Sequence, residues 1–247
     1  MSTTDTSPMP GAAFPTTHWS VVIHAGADAE SQAHESLEQL CRQYWYPLYA
    51  FVRREGRAHH EAEDCTQEFL ARLLRHAGIA HARPERGRFR TFLLAGLKHF
   101  LTNEWHRAQA AKRGGGQAVI SLDLEHAEAR FMLEPADPGL TPDQAFDRSW
   151  ALDLVARASD ELRAEYDRSG RGALFAALAP LLWGDAVDES LAAPAARIGL
   201  TASAFTVALH RLRRRIGERL RAGVADTVTN GAELDAELRH LFRALGQ

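Results

Sequence analysis

Apolar residues recur along this chain at helical spacing, and alternating strand-like patterns are not found. From Ser31 to Arg54, Leu37, Leu40, Tyr44, Pro47, Leu48 and Phe51 mark one face, with Pro47 expected to kink the helix or sit at a junction. Between His59 and His76, Ala62, Cys65, Phe69, Leu70, Leu73 and Leu74 form a second stripe. A third helix carries Phe92, Leu93, Leu97, Phe100 and Leu101 and is stopped by the glycines of AKRGGG. From Ser149, Trp150, Leu154, Ala158, Leu162 and Tyr166 line up until SGRG at 169–172 interrupts them, and the apolar run LFAALAPLLW at 174–183 is expected to be buried. The last stripe, Leu234, Leu238, Leu241, Phe242 and Leu245, makes 232–246 a compact amphipathic helix.

One stretch stands out. In LAAPAARIGLTASAFTVALHRLRRRIGERLR, Leu191 to Arg221, a short Ala-rich run ends at Gly199 and a longer helical run follows Leu200. Phe205, Leu209, Leu212, Ile216 and Leu220 occupy one face of the second run. Thr206, His210, Arg211, Arg213, Arg214, Arg215 and Arg219 occupy the others, and Thr201 is suited to cap its start. Two helices joined by a tight glycine turn, the second long and basic, is the pattern of a helix-turn-helix, whose second helix enters the DNA major groove. A surface helix with a solvated basic face has the same pattern.

Ala, Leu, Glu and Arg dominate the 247 residues and β-branched residues are sparse, so the fold class is all-α. The expected division is a disordered tail at 1–15, a helical domain at 16–113, an acidic linker at 114–147, a helix-turn-helix domain at 148–224 and a terminal amphipathic helix at 225–247. TTHWSVVIHAGA is expected to supply one buried turn through Trp19, Val22 and Ile23. The linker holds Asp123, Glu125, Glu128, Glu134, Asp137, Asp143 and Asp147, with Arg130 as its one Lys or Arg. Charge is therefore segregated, and the formal net charge of −3 does not count against a nucleic-acid partner.

Cys41 and Cys65 are the only cysteines, no CxxC occurs, and both fall in helical stripes, which favours buried structural thiols and a reducing, cytoplasmic setting. No Cys/His spacing resembles a zinc site. The N-terminus lacks a basic start followed by an apolar core, and no apolar run approaches the roughly 18 residues of a membrane span. P-loop, GxSxG, HExxH and Rossmann glycine patterns are absent, so no catalytic residue, cofactor or metal is expected. Glu61, Glu63, Asp64, Gln67 and Glu68 suit the positive end of a helix dipole, and the same acids can make a docking surface for a basic partner. Aromatic and basic residues interleave at Phe89, Arg90, Phe92, Lys98, Trp105, Arg107, Lys112 and Arg113, a mixture suited to single-stranded DNA.

The order of these segments resembles a bacterial sigma factor of the extracytoplasmic-function (ECF) group, over roughly Thr17 to Arg221. LEQLCRQYWYPLYAFVRREG resembles the first helix of the promoter-melting domain and AEDCTQEFLARLL the helix that docks on the RNA polymerase clamp. GRFRTFLLAGLKHFLTNEWHRA resembles the helix that captures the unwound minus-ten element, and SAFTVALHRLRRR the reader of the minus-thirty-five element. The opening TTHWSVVI and the tail ELDAELRHLFRAL look like a subgroup with short terminal extensions.

The resemblance implies that Glu63, Asp64, Gln67 and Glu68 contact core polymerase. It implies that Phe89 and Arg90 lie beside the loop taking the flipped base, and that His99, Asn103 and Arg107 face the melted strand. Thr206, Val207, His210 and Arg211 would face the groove, with Arg213, Arg214 and Arg215 nearer phosphates. The implied partners are core RNA polymerase and promoter DNA, both duplex and melted single strand, with an anti-sigma factor or a kinase as the type of regulator. Acids surround Thr66, so obligatory phosphorylation is not expected. Pro194 and Ala193 depart from the family pattern. Pro194 is tolerable if its helix starts near Ala193. A stand-alone helix-turn-helix regulator with a helical interaction domain is the alternative.

Overall fold

The computed structural model describes residues 30–75, 89–108, 127–133, 139–183 and 188–246. Among the described residues there are nine α-helices, one 3-10 turn and no strand. The opening TTHWSVVI turn, the tail 1–15, residues 76–88, the AKRGGG stop and most of the acidic linker lie outside them.

The first three helices are α1 (Glu30–Arg54), α2 (His59–Arg75) and α3 (Phe89–Ala108). Leu37, Leu40, Tyr44, Leu48 and Phe51 of α1 are all buried, and Pro47 lies within the helix. Cys41 is also buried, and burial pushes its thiol well above the ordinary value. Cys65 is half-buried and packs against the core.

A short helix, α4 (Ala127–Leu133), occupies part of the acidic segment and is clipped to α1. Glu128 accepts hydrogen bonds from Arg53 Nε at 3.1 Å, Arg53 Nη2 at 2.7 Å and Tyr49 Oη at 2.5 Å. Arg130 reaches Asp153 at 2.7 Å and lies over the Tyr46 ring, 3.5 Å from its centroid.

The central element is α5 (Pro142–Arg168), about 40 Å long at the helical rise. It starts seven residues before the expected Ser149 because TPDQ is a start signal. The Thr141 side chain accepts from Gln144 N, the Gln144 side chain caps Thr141 N, and Pro142 occupies the first turn. Its N-terminal half runs antiparallel along α1. Phe146 meets Phe51 with ring centroids 6.3 Å apart, and Trp150 stacks on Tyr44 at 6.4 Å. Its C-terminal half packs on α6 (Gly172–Leu178), where Tyr166 meets Phe175 at 5.6 Å, and on the long helix α8 (Ala202–Ala225). Trp150, Leu154, Ala158, Leu162 and Tyr166 are all buried.

Before α8 comes α7 (Asp188–Arg197), and after it α9 (Gly231–Leu245) folds back onto α5 and α8. Buried residues from Leu37 of α1 to Ala244 of α9 form one continuous cluster. The two modules legible in the sequence therefore share a core, with α5 as their common wall.

Three expectations need correction. Pro194 is inside α7, six residues past its start, where it removes a helical hydrogen bond; it is not in the first turn of a helix beginning near Ala193. Phe242 points outward at 58% exposure, because α9 packs through Leu234, Glu237, Leu241 and Ala244 instead. Trp183, at the end of the apolar run, is 52% exposed, whereas Phe175, Leu178 and Leu182 are buried.

Candidate nucleic-acid interface

The helix-turn-helix forms as the glycine turn requires. The axes of α7 and α8 turn through 96°. Gly199 has φ 71°, the left-handed conformation that favours glycine, and Leu200 N closes the turn by donating to Ala195 O at 3.0 Å. Thr201 caps α8, its hydroxyl accepting from Ala204 N at 3.2 Å. Phe205, Leu209, Leu212, Ile216 and Leu220 are buried and fix the rotation of α8. That rotation turns Thr206, Val207, His210, Arg211 and Arg214 to the outside, at the i, i+1, i+4, i+5 and i+8 positions of one face.

This face mixes hydroxyl, apolar, imidazole and guanidinium groups. Val207 is 47% exposed, an apolar contact of the kind that meets a thymine methyl. His210 and Arg211 are exposed one turn further on. Arg214 is exposed and lies 3.3 Å from Glu218. Arg213 is different: its Nη2 donates to Leu181 O at 2.8 Å, which ties α8 to the end of the preceding 3-10 turn. Arg215 is paired with Glu165, and Arg219 with Glu161 and Glu165, across to α5. Desolvation of Glu165 opposes ionisation, but hydrogen bonding from Arg215 and the charges of Arg219 and Arg215 outweigh it and lower its carboxyl. Arg213 and Arg215, expected near phosphates, thus serve helix packing in this arrangement.

On α3, His99 and Asn103 are exposed and adjacent, Asn103 Nδ2 lying 3.1 Å from His99 Nδ1. The side chain of Arg107 lies outside the described residues, although its backbone is the last turn of α3.

Phe89 and Arg90, set by the resemblance beside the loop that takes the flipped base, are both buried. Phe89 is fully buried, edge-on to Tyr44 at 5.2 Å between ring centroids, and its N–H donates to Thr227 O at 3.3 Å. Arg90 is buried beneath α9. Its Nε donates to Glu237 Oε1 at 2.9 Å, its Nη1 pairs with Asp147, and its guanidinium lies 5.4 Å from the Trp150 ring centroid. His240 Nε2 meets the other Asp147 oxygen at 2.7 Å. Burial works to lower the Arg90 pKa, but Glu237 and Asp147 outweigh it and hold the charge firmly in place. Sequence reasoning missed this network. Its signal was Glu237, a charged residue set within the apolar stripe of Leu234 and Leu241.

The acidic start of α2 is arranged as a ridge. Asp64 is exposed, and Glu63, Gln67 and Glu68 are half-buried, with Glu68 Oε1 held by Arg72 Nε at 2.6 Å. Thr66 sits beneath them, fully buried, its hydroxyl donating to Ala62 O at 2.7 Å. In this fold the hydroxyl is out of reach of a kinase.

No single helix among the described residues is long and apolar enough to cross a membrane. No curated protein and no solved structure matches the chain. One family model does: Sigma-70 region 2 matches residues 40–111, the segment holding most of α1, all of α2 and α3, and the ridge and helix face described above. That match supports a sigma-70 family factor, with a role in RNA polymerase binding and promoter melting.

Proposed function

We propose that the chain is an ECF-type sigma factor that recruits core RNA polymerase to specific promoters and does no covalent chemistry itself. The observation that carries this reading is the coincidence of a Sigma-70 region 2 match at 40–111 with a helix-turn-helix at 188–225 in the same chain. In this reading Glu63, Asp64, Gln67 and Glu68 dock on core polymerase. His99, Asn103 and Arg107 follow the melted minus-ten strand, and Thr206, Val207, His210 and Arg211 read the minus-thirty-five duplex, with Arg214 on phosphate. Its setting is the bacterial cytoplasm, where an anti-sigma factor or a kinase is the kind of regulator it would meet.

The shared core makes this a closed form. In this reading promoter engagement parts α1 from α5 and breaks the Arg90–Glu237 pair as Arg90 turns toward DNA. Differential binding to the open form drives the change.

A stand-alone regulator using only the helix-turn-helix predicts duplex binding without polymerase. The discriminating experiment is binding of the full chain to promoter duplex and to a fork-junction DNA, with and without core polymerase. The sigma reading expects tight, salt-sensitive binding of both only when core polymerase is present. Equal binding in its absence overturns it.

A further inference from the structure

The first two turns of α2 hold three side chains whose ligand atoms converge. His59 Nε2 lies 3.6 Å from Glu63 Oε1, and His60 Nδ1 lies 3.6 Å from Glu63 Oε2. With one ligand atom taken from each residue, the three lie within 4.8 Å of one another. A separation of 3.6 Å is too long for a hydrogen bond. It is close to the edge of a metal's coordination shell, where ligand atoms about 2.1 Å from a tetrahedral zinc stand roughly 3.4 Å apart.

The groups behind His59 decide what its Nε2 offers. Tyr49 Oη donates its one proton to the Glu128 carboxylate at 2.5 Å. Burial, reinforced by Glu128, raises the Tyr49 pKa and keeps that proton on the phenol. Tyr49 Oη, 2.8 Å from His59 Nδ1, is therefore left to accept, so the neutral ring carries its hydrogen on Nδ1. His59 Nε2 then presents a lone pair to Glu63 Oε1, acceptor facing acceptor, and a cation between them resolves the clash. A carboxylate–tyrosine chain that fixes the tautomer of a histidine is the kind of support found behind metal ligands. His60, almost wholly exposed, closes the set from the solvent side.

We propose that His59 Nε2, His60 Nδ1 and Glu63 form a binding site for a borderline divalent cation of the zinc type. Two imidazoles and a carboxylate favour zinc over magnesium or calcium, and water completes the tetrahedron. The sequence showed no Cys/His zinc spacing because the set is two adjacent histidines and a glutamate, converging only at this helix start. One consequence rests on the proposed function: Glu63 is also a docking carboxylate, so zinc at this site should weaken docking on core polymerase.

The test is calorimetric titration of the full chain with zinc chloride, without polymerase, with cobalt(II) absorption as a second readout. The wild type is expected to bind one zinc at this site. His60→Ala, a change at an exposed position, and Glu63→Gln should each weaken that binding at least tenfold while keeping the helical circular dichroism. Tyr49→Phe should weaken it 10- to 100-fold by releasing the ring. No zinc binding, or equal binding in wild type, His60→Ala and Glu63→Gln, overturns the site. For the consequence, zinc should lower polymerase affinity of the wild type and not of His60→Ala. Equal zinc sensitivity of the two overturns that link. Failure to bind polymerase in the presence of chelator would count against the proposed function alone.

Discussion

Glu237 Oε1 receives Arg90 Nε at 2.9 Å, from 147 positions away in the chain, and the Glu237 side chain is wholly shielded from solvent. A buried pair like this adds little over a well-packed apolar substitute, but removing one partner strands the other charge. Because Asp147 still pairs with Arg90, Glu237→Ala should cost less than a full loss of compensation, about 2–3 kcal/mol of unfolding free energy. Arg90→Met combined with Glu237→Ala should recover a large part of that loss, giving a coupling energy of at least about 1 kcal/mol. Urea unfolding of the four corners of the cycle measures it.

The same contact is expected to oppose function. Where Arg90 is held beneath α9, α3 cannot present it to DNA. Glu237→Gln, which weakens the pair without leaving a void, should raise affinity for core polymerase or fork-junction DNA several-fold while lowering the midpoint of thermal unfolding. Parallel titrations of the two proteins check this, and equal affinity despite a lowered midpoint would argue against a lock.

At the helix-turn-helix, Thr201→Ala should cost about 1 kcal/mol through loss of the cap to Ala204 N, and Thr201→Ser should be close to neutral. Gly199→Ala, with φ 71°, should cost about another 1 kcal/mol. Denaturant unfolding monitored by far-ultraviolet dichroism reads both.

The clip between α4 and α1 depends on pH. Desolvation raises the Glu128 carboxyl, but hydrogen bonds from Tyr49 and Arg53, with the Arg53 charge, outweigh it, and the folded value is depressed below the ordinary one. A depressed folded value means the clip's contribution is fully present above the ordinary carboxylate range and is lost as pH falls through the folded value. Wild type should thus exceed Glu128→Gln in stability at neutral pH, with the difference closing on the acid side of that range. Unfolding midpoints across the acid range test the sign.

Much of the fold was legible because amphipathic spacing reports burial directly. The stripes at Leu37–Phe51, Trp150–Tyr166 and Phe205–Leu220 are buried as read, and Thr201 and Gly199 did their expected jobs at the turn. What spacing cannot report is which stripe meets which. Nothing local says that Trp150 stacks on Tyr44 or that Arg90 ends beneath Glu237; these are consequences of shape and charge matching over a hundred residues. The start of α5 was readable in TPDQ and was overlooked because the surrounding acids suggested a linker. The outer face of α8 was legible, since a buried stripe fixes its opposite. The inward turn of Arg213 and Arg215 was not, because an arginine serves equally well on phosphate, on a carbonyl such as Leu181 O, or on Glu165.

The central claim is that the α2 ridge brings this chain to core RNA polymerase. The most direct measurement is equilibrium binding of the purified chain to bacterial core enzyme, beside an Asp64→Arg/Glu68→Arg variant whose helical content and unfolding midpoint match wild type. The account predicts tight binding by wild type and a loss of at least a hundredfold in the variant. No binding by wild type and none by the opened Glu237→Gln protein, or equal binding by wild type and the charge-reversed variant, would contradict it.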